Sequence, residues 1–240
     1  MTTSPTILNT KQQIAVETTE GRVKVVAGAG SGKTLVLVHR YAFLVNELGI
    51  DPNNILCMTF TNKAAKEMRE RIEKLAGAGA EDIWVSTFHS GCAKILRRDI
   101  EKLGYTRSFT IYDDDDQMSA LKEILKKLNI DDKFLPPREI KGKISDAKNK
   151  LLGPQDWFSQ SERDYRSQLV YDVYQAYEEK LKSSNALDFD DLIVKTLELF
   201  AQHPPVLEAY QRKIRYIHVD EYQDTNYAQY MLVRLLAAQS

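Results

Sequence analysis

The sequence predicts an α/β fold, a parallel sheet with crossover helices, interrupted by a mostly helical insertion. Three observations predict it. Four short runs rich in β-branched and aromatic residues, VKVVA (23–27), NILCMTF (54–60), DIWVSTF (82–88) and RYIHVDE (215–221), are each followed by a helical pattern, the rhythm of parallel strands joined by helices. The stretch from 104 to about 187 breaks that rhythm: it is helical and polar, lacks a long strand pattern, and is punctuated by Pro136-Pro137 and Gly153-Pro154. The α/β rhythm then resumes, so residues 113–186 read as an insertion into one domain made of 1–112 and 187–240.

The first strand-like run leads into AGAGSGKT (27–34) and then TLVLVHRYAFLV, a helix pattern. Glycines at 28, 30 and 32 let successive backbone N–H groups point into one concavity, and the following helix adds its positive N-terminus. Ala27, Gly28, Ala29, Gly30, Ser31 and Gly32 are therefore candidates to cradle phosphates. Lys33 would put a charge on the outer phosphates, and the Thr34 hydroxyl would join a Mg²⁺ shell. Ala27 stands where the strict eight-residue pattern has glycine. A flexible strand-to-helix turn is the alternative, and the strand before and helix after argue for the cradle.

Within the inserted stretch, the acidic run Asp113–Asp116 precedes QMSALKEILKKL. Carboxylates there cap a helix and oppose its dipole, a reading we favour over a metal site. The basic segment REIKGKISDAKNK (138–150) is expected to be a solvated helix face, with phosphate contact as the alternative. Leu169, Val173, Tyr177 and Leu181 recur at four-residue steps, an apolar stripe for packing rather than a cofactor site. The last strand-like run ends in Asp220 and Glu221. A carboxylate at a strand end reaches Mg²⁺, and its neighbour can accept a proton from attacking water.

The totals exclude some classes. Lys and Arg number 33 against 34 Asp and Glu, so no global charge draws the chain to a polyanion and any such binding must be local. Cys57 and Cys92 form no CxxC pair, and Cys57 lies in the apolar run ILCMTF, which fits a core thiol in a reducing compartment. MTTSPTILNT has neither a basic nor an apolar leader segment, and the longest apolar run is broken by His39 and Arg40. A soluble cytoplasmic protein without membrane attachment is expected.

AGAGSGKT, TFTNKAAKEM, STFHS, LDFDDL and VDEYQDT occur in the order found in the UvrD/PcrA/Rep family of superfamily 1 DNA helicases, and the resemblance covers essentially the whole chain. It implies a RecA-like P-loop NTPase domain, 1A, interrupted by a helical domain, 1B. It also implies ATP and Mg²⁺ as ligands, with single-stranded DNA and single-strand/duplex junctions as partners. Gln12 resembles the glutamine that reads the adenine edge, Asp220 the Mg²⁺-linked aspartate, and Glu221 the catalytic base. Gln223 resembles the glutamine that senses the outer phosphate. Tyr222 stands where phenylalanine is usual, an exchange between similar buried rings. Leu35 stands where an arginine usually lies on the adenine face, and Arg40 is too far along the helix to replace it. Phe60, Thr61, Asn62, His89 and Phe189 resemble single-strand contacts: Phe60 and Phe189 by stacking on bases, Thr61, Asn62 and His89 by phosphate or sugar contacts. Alone, these rings would read as core aromatics and His89 as a buried histidine.

The family's later motifs, including the arginines of a second RecA-like domain, are absent. The resemblance thus implies the N-terminal portion of a longer 3′–5′ ATP-dependent translocase, with little or no unwinding by the chain alone. The helicase part of a RecB- or AddA-like helicase–nuclease is the nearest rival, and a non-hydrolysing ATP and single-strand binding module is a rival of another class. Transporter-type ATPases share the cradle and acidic pair, but their LSGGQ-like signature is absent.

Overall fold

A computed structural model describes residues 8–28, 30–77 and 83–239. The chain opens with α1 (Thr10–Glu17), which Asn9 caps through a reciprocal pair of bonds with Gln12. Next come α2 (Lys33–Asn46), β1 (Ile55–Thr59) and α3 (Asn62–Ala76). Thr61 caps α3 at its start, and Gly77 ends it in the left-handed region at φ 61°. They are followed by β2 (Trp84–Thr87), α4 (Phe88–Asp99), β3 (Thr110–Ile111), α5 (Asp114–Lys127), α6 (Pro137–Asn149), α7 (Pro154–Gln160) and α8 (Tyr165–Ser183). The chain continues through β4 (Ala186–Leu187), α9 (Asp191–Gln202), α10 (Pro204–Lys213), β5 (Tyr216–Val219) and α11 (Tyr227–Leu236). No helix among the described residues is long and apolar enough to cross a membrane.

Two compact units divide the chain. One holds the residues up to Phe88 with Ala209–Asp224 and the segment from Leu236; the other holds His89–Glu208 with Thr225–Leu235. The first carries a parallel sheet of order β2-β1-β5, in which Thr59 pairs with Thr87 and Met58 with Val219. All five residues of β1 are buried, as befits a central parallel strand covered on both faces. Val38, Tyr41 and Leu44 of α2 and Met68 and Ile72 of α3 close the core over Ile55 and Cys57. Parallel strands end at the same edge, so the segments after β1, β2 and β5 emerge together there, where α/β sheets bind ligands.

Three of the four expected strands form. The fourth, 23–27, does not: it pairs with nothing, and Val23, Val25 and Val26 are exposed, Val26 at 83%. β-Branched residues favour extended backbone but do not supply a partner, and 23–27 joins neither outer edge of the β2-β1-β5 sheet.

The second unit is mostly helical, with β3 and β4 as a two-residue parallel pair. Its apolar cluster draws Leu121, Ile124 and Leu125 of α5, Ile140 and Ile144 of α6, and Val173, Tyr177 and Leu181 of α8. The four-residue stripe is therefore packing, each fully buried side chain contributing about 1.5–3 kcal/mol of transfer free energy. The acidic run caps α5: the Asp113 carboxylate accepts from the amides of Asp115 and Asp116, and Asp116 returns a bond to the Asp113 amide. One expectation fails in α6. Its basic segment is not wholly solvated, because Lys148 is 2% exposed and lies against three carboxylates.

Candidate functional site

The glycine-rich segment makes a turn directly before α2. Gly30 and Gly32 take φ of 71° and 88°, the left-handed region that glycine enters without steric penalty. Ala29 lies outside the described residues. The Ser31 hydroxyl donates to the Gly28 carbonyl at 2.6 Å, closing the turn. Gly32 then starts α2 without a side-chain cap and with no acidic residue in the first turn. The first amides of α2 therefore keep their positive end for an anion. The Lys33 ammonium rests on the carbonyls of Ala27 and Gly28 at 3.3 and 3.4 Å, inside the loop that its side chain spans.

The acidic strand end meets this loop. The Thr34 hydroxyl donates to the Asp220 carboxylate at 3.1 Å across 186 residues of sequence. Asp220 is buried, its amide bonded to the Met58 carbonyl, so β1 fixes its height at the sheet edge. Its second oxygen accepts the Glu221 amide at 3.0 Å. Glu221 itself has φ 49°, an uncommon conformation for a non-glycine residue costing on the order of 1–3 kcal/mol. The Asp224 amide on its carbonyl holds it there. Its exposed carboxylate accepts from the Gln223 amide at 2.6 Å. Tyr222 is not a buried ring as the sequence suggests: it is exposed, because the turn after β5 carries it off the sheet.

Gln12 lies against the same loop. Its Nε2 donates to the Ser31 carbonyl at 3.0 Å while its Oε1 accepts the Asn9 amide at 2.9 Å. A Cβ at Gly32 would come within 3.1 Å of that Nε2, so the third glycine also makes room for Gln12. Leu35 packs beside Gly32. Arg40 is buried, its guanidinium donating to the carbonyls of Ala15 and Thr18. It anchors the end of α1 and does not stand in for the arginine expected at 35.

The expected single-strand contacts fall in two groups. In the first unit, Phe60 follows β1 half-buried, its ring 5.5 Å from that of Phe88 and tilted by 54°. The Thr61 hydroxyl accepts the Ala64 amide at 3.1 Å, and Asn62 opens α3 at the surface. In the second unit, His89 and Phe189 stack at 3.9 Å with an interplanar angle of 23°. Burial lowers the His89 pKa to about 4, so at neutral pH its ring carries no charge. The sequence reading does not single out Lys148, Asp188 or Asp191, although acids flanking an exposed aromatic in LDFDD are a readable signal.

Comparison with known proteins covers nearly the whole chain. The family described as UvrD/REP helicase N-terminal domain matches residues 8–240. The chain is 57% identical over 230 residues to ATP-dependent DNA helicase PcrA of Bacillus subtilis (strain 168), covering 96% of this chain and 31% of that protein. It is 56% identical over 232 residues to the protein of the same name from Staphylococcus aureus (strain Mu50), with 96% and 32% covered. The chain thus spans about a third of the length of these relatives.

Proposed function

Because the chain belongs to the UvrD/REP helicase N-terminal domain family, we propose that it is the ATP- and single-stranded-DNA-binding N-terminal portion of an ATP-dependent 3′–5′ DNA helicase. The observation that carries the reading is the 3.1 Å contact between Thr34 and Asp220. It joins a phosphate cradle to a strand-end carboxylate in one unit.

The amides of 28–32 and the start of α2 hold the phosphates, and Lys33 exchanges its carbonyl contacts for phosphate oxygens. The Thr34 hydroxyl and Asp220 carboxylate are adjacent oxygen donors, which suits Mg²⁺, an ion that takes one or two protein oxygens and keeps several waters. When bound there, Mg²⁺ would neutralise charge on the outer phosphates. Glu221 accepts the proton of the attacking water, and Gln223, already bonded to that carboxylate, orients it and responds to the outer phosphate. Gln12 reads the adenine edge by releasing Ser31 or Asn9. Leu35 adds apolar contact without cation–π attraction.

Phe60 and Phe189 supply base stacking for the strand, with Thr61, Asn62 and His89 as polar contacts; the Thr61 hydroxyl, accepting at the α3 cap, can still donate. A helical domain at 113–186 set into a RecA-like domain of 1–112 and 187–240 is supported by an apolar cluster drawn from Tyr112 to Ala186. Single-strand/duplex junctions are the substrate of the longer protein, working in the cytosol. Translocation and unwinding are assigned to the longer protein, since this chain spans about a third of its relatives' length.

Two titrations of the 240-residue chain test the halves separately: ATP with Mg²⁺ by calorimetry, and a labelled oligothymidylate by anisotropy. Saturable one-to-one binding of both is expected, and failure of either by a folded chain removes that half. Phe60→Ala should weaken oligonucleotide binding by about 1–3 kcal/mol, the range for one stacked base, with an unchanged circular dichroism spectrum. Unchanged affinity in that variant returns Phe60 to the core beside Phe88.

A further inference from the structure

A buried ion cluster lies directly behind the turn that carries Phe189. The Lys148 ammonium, at the C-terminal end of α6, contacts Asp188 and Asp191 at 2.8 Å each and Glu178 of α8 at 2.7 Å. The ammonium donates hydrogen bonds to Asp188 and Asp191, and Glu178 joins them as an ion pair. Asp188 and Asp191 also close on each other: Asp188 accepts the Asp191 amide at 2.9 Å, and Asp191 accepts the Asp188 amide at 3.2 Å. The next residue of α6, Asn149, reaches the Asp190 carboxylate at 3.4 Å and accepts from Asn226 at 2.6 Å. Every carboxylate around Phe189 is thus held from the end of α6. The Phe189 ring alone is left outward, 53% exposed, and stacked on His89.

This is more than a helix needs to start. The Asp188 carboxylate already accepts the first amide of α9, and a buried charge with three partners is costly to assemble compared with apolar packing. What it confers is a fixed geometry at the turn, because Asp188 and Asp191 are each bonded to Lys148 and to one another's backbone amide. We propose that Lys148 is a positioning residue for the single-strand contact, gripping Asp188 and Asp191 on either side of Phe189 so that its ring is presented beside His89. The inference rests on the assignment of Phe189 to DNA. Burial alone would lower the Lys148 pKa, but Asp191, Asp188 and Glu178 together hold it well above its ordinary value. Burial meanwhile raises the Asp191 carboxyl above the usual carboxylate range, against the pull of Lys148.

The test uses the 240-residue chain with Phe189→Ala, Lys148→Met and the double variant, read by oligothymidylate anisotropy, ATP calorimetry and the NMR signals of the His89 ring protons. Phe189→Ala is expected to weaken oligonucleotide binding about 5- to 150-fold, as loss of one stacked base does. Lys148→Met should weaken it severalfold, add nothing in the Phe189→Ala background, leave ATP affinity within about twofold, and move the His89 signals toward those of Phe189→Ala. Wild-type DNA affinity in folded Lys148→Met, beside a weakened Phe189→Ala, overturns the positioning role. If Phe189→Ala itself binds DNA normally, the DNA assignment fails instead, and unmoved His89 signals in Lys148→Met then overturn the positioning role as well. Should Lys148→Met not fold, Lys148→Arg takes its place. Arg keeps the charge but has a planar fork, so the same loss is expected, and wild-type affinity and signals overturn the proposal.

Discussion

Lys33→Ala is expected to abolish measurable Mg²⁺-ATP binding by this chain. The ammonium lies on two backbone carbonyls of its own loop at 3.3 and 3.4 Å, contacts long enough to be given up without much loss. Charge-assisted bonds to phosphate oxygens are each worth about 1.5–3 kcal/mol. Losing two of them weakens binding by roughly 10²- to 10⁴-fold. Folding should barely notice, because the side chain is only half-buried and its two contacts are long ones within its own loop. Calorimetry on the variant, beside its thermal melt, separates these effects. An affinity equal to that of the unsubstituted chain would reject Lys33 as the phosphate ligand.

Glu221→Gln is expected to have the second-largest effect, on turnover rather than on binding. A general base contributes about 10²–10⁴ in rate, and glutamine keeps the shape while removing the proton acceptor. The left-handed backbone at 221 is the same in both, and the Gln223 contact at 2.6 Å can persist to the amide oxygen. Hydrolysis by the 240-residue chain should already be slow, since the arginines expected from a second RecA-like domain contribute about 10³–10⁵. The measurement is therefore single-turnover, with protein in excess over labelled ATP. The variant should bind ATP normally and hydrolyse it at least 100-fold more slowly, a figure at the low end of that general-base range. Equal rates would remove Glu221 from the chemistry, and ATP-dependent strand displacement by the chain alone would contradict the need for a second domain.

The parts of the site that were legible in the sequence are those where chemistry constrains residue type at fixed spacing. The glycines at 30 and 32 need positive φ, Lys33 and Thr34 must follow at the start of a helix, and Asp220 must end a strand. The structure has each of these features. The α/β class with a helical part was legible for the same reason, because strands 55–59, 84–87 and 216–219 are short β-branched or aromatic runs bounded by helical patterns. The failures came where a property depends on partners distant in sequence. VKVVA has strand composition, but pairing needs the fold to bring it alongside an edge, and it joins neither edge of the sheet. Tyr222 has the composition of a core residue, but the turn at Glu221 points it outward. Lys148 sits in a segment that reads as solvated, and only folding brings Glu178, Asp188 and Asp191 around it. Single-sequence patterns record local periodicity and spacing; they do not record which loop closes on which helix.

The central claim, that the strand-end carboxylate and the cradle form one Mg²⁺-nucleotide site, is tested most directly by titrating ATP into the chain and its Asp220→Asn variant, each with Mg²⁺ and with EDTA. Asp220 accepts from Thr34 at 3.1 Å and from the Glu221 amide at 3.0 Å, and asparagine can keep one of these contacts through its oxygen while losing the charge. The unsubstituted chain should bind ATP through one site, at least about tenfold more tightly with Mg²⁺ than without, a difference of about 1.4 kcal/mol. The Asp220→Asn variant should lose most of that difference while retaining the weaker, metal-free binding. An identical Mg²⁺ dependence in both proteins, or no ATP binding by the folded chain, would contradict it.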